Sequence, residues 1–190
     1  MDLIPFVGEP LALDLVNTRP LTGEGRVDLL ETGEGLRLWL ESEAERIPVL
    51  SAAESAAIEV GDFRPIIAVR DYITSAITHL RDGKPVPIKD IDGLNAAMRA
   101  APVMSQLVWS DRPVLSSERV GAPTIRLAGF LAEDAAALLA GGEAALIRKC
   151  AAEDCVMLFV GTNTRRRWCS AARCGNRVRV SRYYQRSKMV

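Results

Sequence analysis

The four cysteines of the chain, Cys150, Cys155, Cys169 and Cys174, fall within its last 41 residues as two pairs, with four residues inside each pair and thirteen between the pairs. A stretch that short cannot bury an adequate apolar core alone, so it needs a cross-link to hold a fixed shape. Two closely spaced thiol pairs supply four sulfurs that can converge on one tetrahedral Zn²⁺ at about 2.3 Å each. Two disulfides would be the competing use, but they suit oxidising compartments. Met1 to Val16 does not resemble a secretory signal, because it lacks a basic start and carries Asp2, Glu9 and Asp14 where an apolar run would be required. The expectation is a cytoplasmic protein holding one structural zinc through Cys150, Cys155, Cys169 and Cys174. Four thiolates would leave no open position on the metal for water, which argues against metal catalysis.

A formal net charge of zero conceals a strong division. From Arg148 onward the chain has eleven basic residues against Glu153 and Asp154 alone, a net +9, so residues 1–147 carry −9. A basic module on an acidic body is the footprint of a nucleic-acid contact surface. The competing reading is a solvated tail that docks on its own acidic body. With 190 residues, 48% of them apolar, the chain can bury a sizeable core. No apolar run approaches the ~20 residues of a membrane span, so no membrane partner is expected.

Periodicity places a mainly helical body over residues 1–147. Pro10 to Thr18 reads as a short strand or a first helix, and Asp28 to Leu40 as helix-like but interrupted near Gly33 and Gly35. Ser51 with Glu54 three residues later forms a capping box that opens a helix to Val60. The helix from Pro65 to about Arg81 is the best defined, with Ile66, Val69, Ile73, Ile77 and Leu80 on one face. Another spans Ile88 to Ala101. Val103–Trp109, Pro113–Val120 and Pro123–Leu127 then read as a small antiparallel meander. Phe130–Leu139 is an alanine-rich helix, and Glu143–Lys149 a further short helix feeding directly into Cys150.

Residues 148–190 form the second unit. Val156–Val160, a turn at Gly161–Thr164, and Arg165–Cys169 read as strand, turn, strand, which returns the second cysteine pair to the first. After Cys174 a helix through Lys188 would align Arg179, Arg182 and Arg186 in a basic stripe, with Val180, Tyr183 and Tyr184 on another surface. Trp168 is expected to pack under the metal site.

The run Arg166-Arg167-Trp168-Cys169-Ser170 followed by Cys174-Gly175-Asn176-Arg177 resembles the CGNR zinc-finger family. In that family the finger is appended to an N-terminal, mostly helical ABATE domain held to sense a ligand or stress. Leu13-Asp14-Leu15-Val16-Asn17-Thr18 resembles the opening motif of that domain, Leu38-Trp39-Leu40 its next landmark and Val69-Arg70-Asp71 its central helix. Gly161 departs from the pattern, standing where an acidic residue would be expected to hold the arginine pair. The resemblance implies an α+β chain, mainly α with a small antiparallel β region, ending in a treble-clef or ribbon-like zinc finger. It also implies a transcription regulator.

Three classes of function follow. The first is DNA binding through Arg165, Arg166, Arg167, Arg177, Arg179, Arg182 and Arg186, whose guanidinium groups suit phosphate contact and guanine reading. The second is sensing of a small-molecule effector by Asp14, Asn17 and Arg70, polar residues at motif positions of otherwise apolar segments; the same three could instead be ion pairs and caps fastening the first segment to the central helix. In this alternative, or if the basic module binds a protein partner, the finger is purely structural. An enzyme is the third and weakest class. His79, the only histidine, lies beside Ile77 and Leu80 as a satisfied or surface residue, and no phosphate loop, nucleophile elbow or paired-carboxylate motif is present. The sequence also allows a homodimer.

Overall fold

Apolar residues at helical spacing account for most of the architecture. The computed structural model describes residues 7–22, 25–59 and 62–187, and their side chains except at 22, 52, 56, 59 and 182–187. Helix α1 (Leu11–Val16) settles the first segment as helical, and its residues Leu11 to Leu15 are all buried. A minimal hairpin, β1 (Leu21–Thr22) with β2 (Gly25–Arg26), follows. Leu29–Glu31 is a 3₁₀ turn, and α2 (Gly33–Ser42) begins after Thr32, whose hydroxyl accepts from the Gly35 amide. Gly35 is needed there, since a Cβ would stand 1.9 Å from the Leu29 carbonyl oxygen.

The capping box forms as expected. The Ser51 amide donates to Glu54, the Glu54 amide donates back to Ser51 Oγ, and α3 (Ala52–Glu59) follows. Helix α4 (Arg64–Arg81) starts with Pro65 in its first turn and buries Ile66, Val69, Ile73 and Ile77. Helix α5 (Ile88–Ala100) packs against it through Leu94. The main core gathers Leu13 and Leu15 of α1, Trp39 of α2, Ile58 of α3 and the α4 face against Leu127 and Leu131 of α6 (Pro123–Ala140).

Three segments differ from the sequence-based expectation. Pro123–Leu127 is the first part of α6 and not a strand: Pro123 occupies the start of the helix, where a fixed φ is favourable and no amide bond is lost. The β-branched Thr124 and Ile125 suggested a strand, but Leu127, Leu131 and Leu138 bury on one helical face. Glu143–Lys149 is not a helix. Gly142–Leu146 is a 3₁₀ turn, and Ile147–Lys149 is strand β5, paired antiparallel with β6 (Leu158–Val160). Arg165–Cys169 is not a strand either. The meander is thus a two-stranded ribbon, β3 (Val103–Trp109) with β4 (Pro113–Arg119), which pairs Val103 with Arg119 and Trp109 with Pro113.

Buried charge fastens the N-terminal segments. Arg70 is buried, and its guanidinium donates to both oxygens of Asp28 at 2.5 and 2.7 Å and to Thr18 Oγ1 at 2.9 Å. Burial alone would raise the Asp28 carboxyl, but the hydrogen bonds from Arg70 and Arg19 outweigh it and hold it below the usual range. Asp14 accepts from the amides of Gly8 and Glu9 and from Arg46, which also bonds Glu43. Here burial wins. It raises Asp14, and burial together with the Asp14 charge pushes Glu43 up to about 7.

A carboxyl whose pKa is raised by folding binds its proton more tightly in the native state, so native stability falls as pH rises from the ordinary glutamate value towards 7, and levels off above it. Glu43→Gln should remove that slope and stabilise the protein at pH 8 by about 1–3 kcal/mol. Urea unfolding of both proteins across this pH range checks it: equal stabilities at pH 5 and pH 8 would show that Glu43 is not strained.

Candidate metal centre and its basic surface

Strand β6 builds the metal centre because it is buried on both sides. Its side chains alternate, so Leu158 and Val160 enter the main core beside Ile147, while the adjoining Met157 and Phe159 enter a second apolar cluster made with the four cysteines. Pairing continues past β5, where the Cys150 amide donates to the Met157 carbonyl at 2.9 Å. A tight turn follows, closed by the Cys155 amide on the Ala152 carbonyl. These two bonds bring the first thiol pair onto one knuckle.

The second pair returns by a turn instead of a strand. Asn163 accepts the Arg165 amide on its side chain and the Arg166 amide on its carbonyl, which bends the chain back. A single ladder-like bond, Ala151 amide to Arg167 carbonyl at 2.8 Å, then docks it. Ser170 Oγ accepts from the Arg173 amide and opens the Ala171–Gly175 helical turn that carries Cys174 and runs into α7 (Asn176–Ser187). Knuckle, return and helix make a treble-clef-like finger.

The four sulfurs lie within 4.8 Å of one another and all four cysteines are buried. Cys155 and Cys169 sulfurs are 3.9 Å apart, and Cys169 and Cys174 sulfurs 3.6 Å. A zinc–sulfur tetrahedron has an edge of about 3.8 Å, so the quartet fits one zinc ion. The Cys169 amide donates to Cys150 Sγ at 3.3 Å, orienting that sulfur. Without a cation the thiols conflict. The hydrogen bond from Cys169 holds Cys155 down to about 5, the same contact pushes Cys169 up, and burial pushes Cys174 up to about 11. A divalent ion among them lets all four act as thiolates. Its role is structural.

Two residues of the body hold this unit. Asn17 clamps the free edge of β6 with both ends of its side-chain amide, the nitrogen donating to the Leu158 carbonyl and the oxygen accepting the Leu158 amide, each at 2.9 Å. Glu9 does more. Its Oε2 accepts the Val160 amide at 2.8 Å, its Oε1 pairs with Arg166 Nη2 at 2.5 Å, and its carbonyl accepts from Arg46. Sequence reasoning missed Glu9. The signal was the glycine at 161: with no local acid to hold the arginine pair, a partner had to come from elsewhere, and the Arg148 side chain fills the space over Gly161 instead.

The arginines therefore divide. Arg166 turns inward, bonding Glu9 and the Cys169 and Trp168 carbonyls and lying 4.4 Å over the Phe159 ring. Arg165, Arg167, Arg177 and Arg179 are exposed around the clamp. Arg177 stands 3.9 Å from Asp154, an exposed pair worth little in water. Arg167 and Arg179 each lie 5.9 Å from the half-buried Trp168 ring, which packs on the cysteine cluster. The backbone of α7 continues through positions 182 and 186, but the side chains of Arg182, Tyr183, Tyr184 and Arg186, and the whole of Lys188, lie outside the described residues.

The three residues read as effector contacts each bond a different partner. Asp14 and Arg70 are occupied by Arg46 and Asp28, and Asn17 by Leu158. A cleft of about 790 Å³ does open at the seam between the body and the finger. Asn17 and Asp28 line it with the exposed cations Arg19, Arg26, Arg81 and Lys149, over buried Met157 and Leu158. His79 accounts for itself, with Nδ1 2.8 Å from the Ser75 carbonyl. No helix among the described residues is long and apolar enough to cross a membrane.

Comparison with known families agrees with this architecture. The ABATE model, described as "Putative stress-induced transcription regulator", matches residues 9–142, and the CGNR zinc finger model matches residues 147–187. No curated protein matches the chain. The chain belongs to the ABATE family and carries a CGNR zinc finger; neither family description names an enzymatic activity.

Because β6 lies in both cores, loosening it from the body should loosen the metal. Asn17→Ala removes two buried hydrogen bonds and should cost about 2–4 kcal/mol. Zinc transfer to a chromogenic chelator, timed below the unfolding transition, should be several-fold faster in this variant and in Glu9→Ala. Unchanged release from both would show that the body does not steady the finger.

Proposed function

We propose that this member of the ABATE family is a regulator that binds duplex DNA through the face of the finger carrying Arg165, Arg167, Arg177 and Arg179. The observation that carries this reading is the division among the arginines: Arg166 is spent on the body, while these four present exposed guanidinium groups around a rigid clamp. Helix α7, about 18 Å long at 1.5 Å per residue, is short enough to lie in a major groove. Arg182 and Arg186 extend the same helix and are assigned to the same contact. The acidic body opposes non-specific attachment elsewhere on the molecule.

The seam cleft supports the sensing half of the proposal. Of the four exposed cations there, Arg19 is paired with Asp28 and Asp71, and Asp28 is engaged by Arg70 as well, which leaves Arg26, Arg81 and Lys149 facing Glu31, so a small carboxylate or phosphate-bearing effector is the complementary ligand. Such a ligand would touch α4, Asn17 and β6 together. It would bear on the finger through the strand that Asn17 holds.

Two measurements test the proposal. Titration of the zinc-loaded full chain onto duplex DNA should give a log–log salt slope of about −4 to −6, and Arg179→Ala should reduce it by about 0.9. A flat salt response would end the DNA reading. In thermal-shift measurements small di- and tricarboxylates and phosphates should raise the melting temperature, and Lys149→Glu with Arg81→Glu should abolish the rise. A rise of equal size in that double variant would place the ligand elsewhere.

A further inference from the structure

The ribbon formed by β3 and β4 leaves more large apolar surface in water than any other part of the described residues. Leu107 is 74% exposed, Trp109 77%, Leu115 71% and Val103 51%. The register places Leu107 directly opposite Leu115 and Trp109 opposite Pro113, so these four side chains are neighbours on one face. On the other face Gln106, Ser116 and Glu118 alternate with Met104, Val108 and Val114, of which the two valines are less exposed, at 41% each. The body holds the ribbon at its base, where Arg119 bonds the Ala101 carbonyl and Glu133.

A lone two-stranded ribbon is marginal in water, and one that exposes this much apolar surface, the most exposed of it at Leu107, Trp109 and Leu115 on one face, is more so. Its charges, Asp111, Arg112, Glu118 and Arg119, sum to zero, so two ribbons approach without repulsion and a strongly acidic or basic partner gains nothing. The exposed parts of Val103, Leu107, Trp109 and Leu115 amount to roughly 500 Å² per copy, so two copies face to face would cover about 1,000 Å², the size at which a specific interface begins. The patch made by Leu107, Trp109, Pro113 and Leu115 is apolar, and laid on a second copy it meets the same side chains, as a two-fold contact requires.

We infer that the ribbon is the homodimer interface of this protein, with the Leu107, Trp109, Pro113 and Leu115 face of one copy laid against the same face of a second. This is independent of what the finger binds. Helix α6 starts next to the ribbon and ends where the finger begins, about 27 Å away along its axis. The interface therefore leaves both fingers free.

Light scattering on the eluting zinc-loaded full chain, at tens of micromolar, should give twice the 20.7 kDa chain mass. Leu107→Asp combined with Leu115→Asp should return it to the single-chain mass with the far-ultraviolet spectrum retained, and Ser116→Lys on the opposite face should leave the dimer intact. Hydrogen exchange of the wild-type amides from 103 to 119 should slow with rising protein concentration, a reading that does not depend on any variant folding. A single-chain mass for the wild type would overturn the inference. So would a dimer indifferent to the paired aspartates, or ribbon exchange that does not change with concentration.

Discussion

Strand β6 is the piece on which both halves of the molecule depend. It is only three residues long, yet the alternation of its side chains sends Leu158 and Val160 into the helical body and Phe159, with the preceding Met157, into the cysteine cluster. Its backbone is satisfied from both directions as well, by β5 on one edge and by Asn17 and Glu9 on the other. A short strand in this position is stabilised by its surroundings more than by its own propensity. Remove either neighbour and polar backbone is left buried without partners.

The electrostatics follow the same geometry. The acidic body is not a uniform counter-charge to the basic finger; among the described residues the carboxylate of Glu9 reaches the finger and takes the guanidinium of Arg166. Glu9 is in turn fixed through Asp14 and Arg46, and that group is strained enough to raise Glu43 towards neutrality. The cost is accepted where three segments distant in sequence have to meet. The remaining exposed arginines of the finger keep most of their charge for solvent or a partner.

Much of this was legible beforehand because it depends on local rules. Cysteine spacing identified the ligand set, the period of Ile66, Val69, Ile73 and Ile77 identified α4, and Ser51 with Glu54 identified the start of α3. What failed depended on tertiary pairing. Residues 147–149 look helical until β6 is available to pair with them, and 123–127 look extended until α6 has a face to bury. Arg165–Cys169 looked like the natural partner of β6, but Asn163 takes the local amides first and Ile147–Lys149 already occupies the place beside the strand. Asp14, Asn17 and Arg70 were correctly read as polar residues among apolar ones, but sequence does not say that each has a different distant partner.

The two-sided burial of β6 also limits how such a chain can be rebuilt. Many metal-stapled modules can be moved between hosts because the metal alone holds them. This one would travel with its cysteines but leave behind Asn17 and Glu9, and its apolar strand would arrive with one face and one edge uncovered. Any recipient would have to supply an amide and a carboxylate at matching positions, together with a groove for Leu158 and Val160. Finger and body are therefore bound to change together, and a substitution on one side of the seam sets the terms for what the other side can accept.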